Sequence, residues 1–407
     1  MSGNLSIRTH LLSPVSPQSV CLLQDHILSI AEGRIAGINP WATGLSYDID
    51  LRNCLAIPGL IDTHVHLSQH RISGLYRESL LPWLNEIVFP EESKSADYDF
   101  AYALAEDFFQ ALYKAGTTTA VIYTAPYPAA CEAAFEVAGL HSFRAIIGMT
   151  LMNQNSPDSL LQDTEQVKAD CLSLIEAYHK PEQGLEYIFT PRFAPSCSME
   201  LMQWIGSFAR ENNIRIQTHL SENRDEIKWV QDLFGLSSYT EVYRKAGILT
   251  DKTILAHCIH LSDEELDTLK TNGCKVAHCP DSNFFLRSGL FPLDRIRDRD
   301  IPFALGSDVG AGTTLNMLYH AKMYYYRQPQ TPVTPADAFY RITLGAAGLL
   351  NLDDKIGSLE TGKDADIVLL NLPESDKPLS EDILSRLVFT GHEWNIAQVY
   401  SKGVRKV

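Results

Sequence analysis

The sequence predicts a (β/α)8 barrel accompanied by a small composite β-sandwich built from the two ends of the chain. Three observations carry this: eight short apolar runs, helical stretches between them, and a change of texture at both termini. The runs are residues 60–66, 117–124, 144–152, 185–193, 214–220, 253–257, 275–279 and 302–307. They are rich in Val, Ile, Leu and Thr, too short for helices, and apolar on both faces, as strands of a covered parallel sheet are. Amphipathic stretches separate them, at 98–114, 160–179, 199–211, 225–233 and 263–271, with another at 316–326 after the last run. Ser198 and Ser262 stand as cap residues ahead of two of these helices. A doubly wound open sheet would more often show a Gly-rich turn after its first strand, and none follows residue 66.

The ends read differently. Residues 1–57 alternate short apolar segments with turns, at 19–23, 26–30 and 33–38, and the pattern returns from about Gly357 and again at 396–403. Neither end suffices for a sheet. The expected division is therefore 1–57 plus 351–407 as the composite β-sandwich and 58–350 as the barrel.

A chain of 407 residues accommodates both. It is 45% hydrophobic and 21% charged, with no low-complexity tract. No apolar run reaches the roughly 18 residues a bilayer crossing needs, and the first residues lack a secretory pattern, so a soluble, cytoplasmic protein is expected. A formal charge of −16 disfavours nucleic acid and anionic membranes as partners. The eight cysteines include no CxxC pair and read as reduced core thiols. Deaminases with a Cys-rich zinc site carry HxE and PCxxC, both missing here, so any deaminase chemistry needs another metal site.

The strongest feature is positional. His64 and His66 end the first run, His219 the fifth, His257 the sixth and Asp308 the eighth, so all five converge on the C-terminal mouth of one barrel. Two apart on a strand, His64 and His66 share a side. An isolated strand histidine is usually a packed core residue, and a lone Asp308 suits a cap or turn. Five such residues at strand ends make a metal site the better account. Imidazoles with one carboxylate suit Zn²⁺ and leave a position for water. Glu222, just beyond the fifth strand, suits a first-turn helix carboxylate and equally a proton carrier beside the metal.

Pro58-Gly59-Leu-Ile-Asp62-Thr-His64-Val-His66, then Gly116-Thr-Thr-Thr119, His219, His257 and Ser307-Asp308, together resemble the amidohydrolase superfamily across the chain. The set is similar to the mononuclear deaminase branch. Binuclear members bridge their metals with a lysine ending strand four, where this chain has Thr190-Pro191-Arg192-Phe193. Within the branch, Leu80-Leu-Pro-Trp83, Phe89-Pro-Glu91, Pro191-Arg192-Phe193, Leu220-Ser-Glu222-Asn223, Ala277-His-Cys-Pro280-Asp-Ser-Asn283 and Ser288-Gly289 resemble the guanine deaminases. Two stretches depart. Leu67-Ser68 stands where that family more often has Ala-Pro, with His70 in place of an aromatic, and Gly391-His-Glu-Trp-Asn395 replaces a Gly-Asp-Asp-Arg run.

The resemblance implies one zinc ion, with iron fitting the same ligands, held by His64, His66, His219 and Asp308. It implies Glu222, His257 and Asp308 as catalytic groups, and Gln69, Trp83, Arg192 and Phe193 as contacts to a purine base. Residues 80–90 would close a small pocket. The expected reaction is hydrolysis of guanine to xanthine and ammonia, and the expected assembly is a homodimer. Rival substrates for the same machinery are 8-oxoguanine, a pterin, an adenosine derivative or a chlorinated triazine. A barrel that had lost its chemistry would lack metal histidines or the carboxylate, and all are present.

Overall fold

The computed structural model describes residues 4–374, 379–380 and 382–407. Four strands open the chain: β1 (Leu5–Ser16), β2 (Ser19–Ala31), β3 (Arg34–Pro40) and β4 (Ile49–Pro58). Eight follow: β5 (Leu60–His66), β6 (Thr117–Thr124), β7 (Arg144–Leu151), β8 (Leu185–Pro191), β9 (Arg215–Leu220), β10 (Thr253–His257), β11 (Lys275–His278) and β12 (Phe303–Leu305). Three close it: β13 (Ile367–Asn371), β14 (Ile396–Ser401) and β15 (Val404–Arg405). The described residues gather into two compact units. One comprises Thr63–Phe109 and Ala120–Thr314, the other the described residues within 4–62, 110–119 and 315–407.

Strands β5 to β12 form one sheet in strict chain order. It closes where the chain passes β12: Asp308 N donates to the His64 carbonyl at 2.8 Å, and His66 N to the Val309 carbonyl at 2.8 Å. This is the (β/α)8 barrel. Every residue of β5, β6 and β7 is buried, as strands covered on both faces must be. Gly306 permits the closure, since a Cβ there would lie 2.6 Å from the His64 Cβ.

The runs at 60–66, 117–124 and 253–257 keep the ends read from sequence, while the eighth shrinks to three residues. Ser198 caps Met199–Glu211 by accepting from Leu201 N, and Ser262 forms a full capping box with Glu265. The stretch expected at 160–179 starts only at Thr164, because Asp163 accepts from Glu165 N and Gln166 N and fixes the helix start there. The helix Pro128–Leu140 has no counterpart among the expected stretches. Its buried positions are Ala130, Cys131, Ala133, Ala134, Phe135, Val137 and Ala138, and so broad an apolar surface leaves no helical stripe to recognise.

The terminal strands form a single seven-stranded sheet, ordered β15-β14-β13-β4-β1-β2-β3. Alternate residues such as Leu28 and Ile30, Cys54 and Ala56, and Ile367 and Leu369 contribute to one apolar core. The segments expected at 19–23 and 26–30 are one strand, not two. Gln24-Asp25 reads as a turn in sequence, but Asp25 (φ 54°) sits at a register shift opposite Thr9–Leu11, where Arg8 binds its carboxylate at 2.6 and 2.7 Å. The Gly391–Glu393 stretch is a short 3₁₀ turn, and the His392 carbonyl accepts from Asn316 Nδ2 at 3.2 Å. All eight cysteines are free thiols. No helix among the described residues is long and apolar enough to cross a membrane.

Candidate active site

The mouth of the barrel is built where strands end in strained backbone. His257 at the end of β10, Cys258 after it, Ser221 after β9 and Asp308 beyond β12 all adopt left-handed φ, at 68°, 53°, 51° and 51°. Such conformations cost a non-glycine residue of order 1–3 kcal/mol and persist where the surroundings hold them.

Four side chains meet there. His64 Nε2 lies 3.2 Å from His66 Nε2 and 3.1 Å from Asp308 Oδ1. His66 Nε2 lies 3.3 Å from His219 Nε2 and 3.2 Å from Asp308 Oδ1. Donor atoms spaced like this on a tetrahedron would all stand about 2 Å from its centre, the length of a zinc–nitrogen bond. The tautomers agree. His219 Nδ1 is 2.6 Å from the Arg192 carbonyl, which can only accept, so its proton sits on Nδ1 and a lone pair on Nε2 faces the other donors. Three imidazoles and a carboxylate with their donor atoms drawn together fit a divalent metal ion.

Electrostatics point the same way. Burial holds His66 down at about 4 and His219 well below the ordinary imidazole range, with neighbouring imidazoles adding to the shift, so both are neutral donors. Asp308 is held well below the usual carboxylate range: burial opposes ionisation, but its bonds to His64 and His66 overcome that.

Asp308 divides its two oxygens. Oδ1 faces His64 and His66, while Oδ2 accepts from Ser282 Oγ at 2.5 Å and lies 3.9 Å from His257 Nε2. His257 Nδ1 is bonded to Asn283 Oδ1 at 2.9 Å, which turns Nε2 toward Glu222 Oε2, 3.5 Å away. Burial lowers the basicity of His257, but Glu222 and Asp308 outweigh it and raise the group overall. Glu222 in turn is pushed up by burial, and Ser288 Oγ fixes its other oxygen at 2.8 Å. One wall therefore presents a fixed, proton-competent carboxyl beside the quartet.

His66, His219, Asp308 and Glu222 open onto a cavity of about 410 Å³, part of it continuous with solvent. Gln69, Arg192, Phe193 and Trp83 all line it, together with Leu80 and Leu84. The segment expected to close the pocket is a chain of short helices, Leu80–Trp83, a π-turn at Leu84–Val88, and Phe89–Glu92. Trp83 Nε1 ties it down through the Leu75 carbonyl at 2.8 Å.

Sequence reading missed several residues here. Tyr123 of β6 packs its ring 4.8, 4.5 and 5.0 Å from those of His64, His66 and His219. Glu226, one turn beyond Glu222, is buried, caps the Glu222 and Asn223 amides at 3.1 Å each, and is pushed up to about 7 by burial and by Glu222. Glu92 binds both Arg192 and Gln69. Asn283 and Ser288 lay inside segments whose resemblance was evident, but their contacts were not.

Fold and site together define a barrel hydrolase with a histidine–aspartate cluster able to bind a metal. Residues 55–406 match the family model for the Amidohydrolase family. The guanine deaminase of Escherichia coli (strain K12) is 37% identical over 364 residues, covering 86% of this chain and 81% of that protein. Among solved structures, E. coli guanine deaminase superposes with a TM-score of 0.93 at 33% identity, covering 98% of this chain and 99% of that one. Guanine deaminase from C. acetobutylicum, with guanine bound in its active site, superposes at 0.90 with 30% identity, covering 99% and 100%. The chain belongs to the amidohydrolase family and, within it, to the guanine deaminases.

Proposed function

We propose that this protein hydrolyses guanine to xanthine and ammonia at a single zinc ion held by His64, His66, His219 and Asp308. One observation carries the reading: Glu222 lines the same cavity as His66, His219 and Asp308 of that quartet and the Gln69–Arg192 pair, so one planar base can reach all three.

A zinc ion in that quartet supplies Lewis acidity, making water a nucleophile at neutral pH. The remaining work falls to side chains. Gln69 and Arg192 present donors and an acceptor to the O6 and N1 edge of the base, and Phe193 packs against it. This directs C2, with its amine, toward Glu222. Glu222 takes the proton of the attacking water, passes it to the adjacent ring nitrogen, and delivers a second proton to the departing amine. Its raised affinity for a proton suits both halves of that shuttle. His257, locked by Asn283, directs Nε2 at the attacking oxygen and stabilises the charge that develops on it. A homodimer and a cytoplasmic setting accompany the reading.

The test is ammonia release from guanine, 8-oxoguanine, a pterin, adenosine and a chlorotriazine by metal-replete protein. Guanine is expected to give the highest kcat/KM. A higher value for any other compound would overturn the substrate assignment.

A further inference from the structure

Arg192 and Gln69 do not face the cavity unheld. Glu92 is fully buried and binds both. Its Oε2 accepts from Arg192 Nη1 at 2.6 Å, and its Oε1 from Gln69 Nε2 at 2.9 Å and from Ser68 Oγ at 3.2 Å. Phe89, on the same short helix, lies with its ring centre 5.1 Å from the guanidinium carbon. The Gln69 carbonyl accepts from Gly310 N at 3.3 Å, so both ends of that amide are fixed. Ser68 belongs to the stretch where this chain departs from its family's more usual Ala-Pro, and it supplies the third donor on this carboxylate.

A buried guanidinium cannot be left alone without cost, and a carboxylate at this distance cancels its charge. The recognition end of the cavity therefore offers arginine donors without a net positive charge. This matters because the reaction changes the acidity of its ligand. Guanine is neutral near physiological pH. Xanthine, with a second ring carbonyl at C2 and a new N–H beside it, is the stronger acid and becomes partly anionic from neutrality upward. A lone arginine would retain that anion.

We propose that Glu92 is a positioning and specificity-determining residue, whose pairing with Arg192, Gln69 and Ser68 cancels the arginine charge at the recognition end of the base site and so favours neutral guanine over ionised xanthine. This rests on the reading of guanine as substrate. The experiment measures xanthine binding to the zinc-loaded protein by calorimetry between pH 6 and pH 9, with kcat and KM for guanine in parallel, for wild type, Glu92→Gln and Glu92→Asp. Wild type is expected to bind xanthine more weakly as the ligand ionises. Glu92→Gln, left with a net positive charge, should bind it equally or more tightly over the same range, with the two curves parting by on the order of tenfold or more. KM for guanine should rise more than kcat falls. Glu92→Asp, which keeps the charge, should keep the wild-type slope.

Equal slopes in wild type and Glu92→Gln overturn the assignment. If Glu92→Gln does not fold, the double variant E92Q/R192M removes both charges and should restore the wild-type slope. A double variant that prefers the anion overturns the proposal as well. Failure of wild type to deaminate guanine instead overturns the functional reading, and the two failures are distinguishable in one data set.

Discussion

His219 donates its Nδ1 proton to the backbone carbonyl of Arg192 at 2.6 Å, so one residue serves two parts of the site by different atoms. The carbonyl of Arg192 orients a proposed metal ligand, while its side chain lines the cavity. Truncating the side chain leaves the carbonyl in place. Arg192→Ala should therefore retain metal, measured by elemental analysis, while guanine kcat/KM falls by on the order of 10³ or more. The gap between guanine and adenine should narrow, because the guanidinium both attracts O6 and rejects a donor amine. Loss of metal from this variant would show that the side chain itself supports the quartet.

Glu222→Gln should separate proton transfer from binding. The amide keeps the size of the carboxyl and can still accept from Ser288 Oγ, but it cannot carry a proton. Metal content and guanine affinity should stay near wild type, while turnover falls by on the order of 10² or more. Near-normal turnover would leave Glu222 a helix-start residue only.

His64→Ala and His219→Ala should each lose metal and activity together. The barrel should remain folded by circular dichroism, because its core is large and the two imidazoles are a small part of it. One metal per active chain is expected for wild type, since strand β8 ends without a bridging lysine. Two tightly bound ions per chain, or global unfolding of either variant, would contradict this account.

Glu226 sets a pH-dependent term in stability. Burial and the nearby Glu222 push it from the ordinary 4.5 to about 7, so the folded protein binds its proton more tightly than the unfolded chain does. The sign follows: this contribution is fully present below pH 4.5 and is lost as pH rises through about 7. Replacing it with Gln, which can still cap the Glu222 and Asn223 amides, should flatten the stability profile between those limits. At about 1.4 kcal/mol per unit, the difference amounts to a few kcal/mol at pH 8. Parallel denaturation midpoints for the two proteins from pH 4.5 to 8 would refute the burial argument.

How much of this was legible in the sequence follows from what each feature depends on. The proposed ligands were legible because a barrel delivers strand ends to one mouth, so order along the chain translates into convergence in space. The three exact strand runs were legible because burial on both faces leaves an unbroken apolar segment. Glu92 was not. Its role depends on a long-range ion pair to Arg192, and its own sequence neighbours, Glu91 and Ser93, offer no sign of burial. Helix Pro128–Leu140 escaped because apolar residues cover most of its surface, and β2 was split because a bulge and a turn use the same residue types.

The closing wall of the cavity predicts which forms of the base are accepted. Leu80, Trp83 and Leu84 line it from the helical segment, and Trp83 is held by its bond to the Leu75 carbonyl and by burial in the core it shares with Leu80, Leu84 and Ile87. In the proposed pose Gln69 and Arg192 take the O6 edge and C2 faces Glu222, so the imidazole half of the purine turns toward this wall. Bulk on N9 then competes with packed side chains, whose displacement costs more with each added atom. A graded series should expose this. Guanine should be the best substrate, 9-methylguanine distinctly slower, and guanosine slower again, with kcat/KM lower than that of guanine by on the order of 10³. Leu84→Ala should recover part of the loss for 9-methylguanine while doing little for guanine itself, because it removes wall and not recognition. Equal rates for guanine and guanosine would mean that N9 points to the solvent-open side, and that the base lies in the cavity in the opposite orientation.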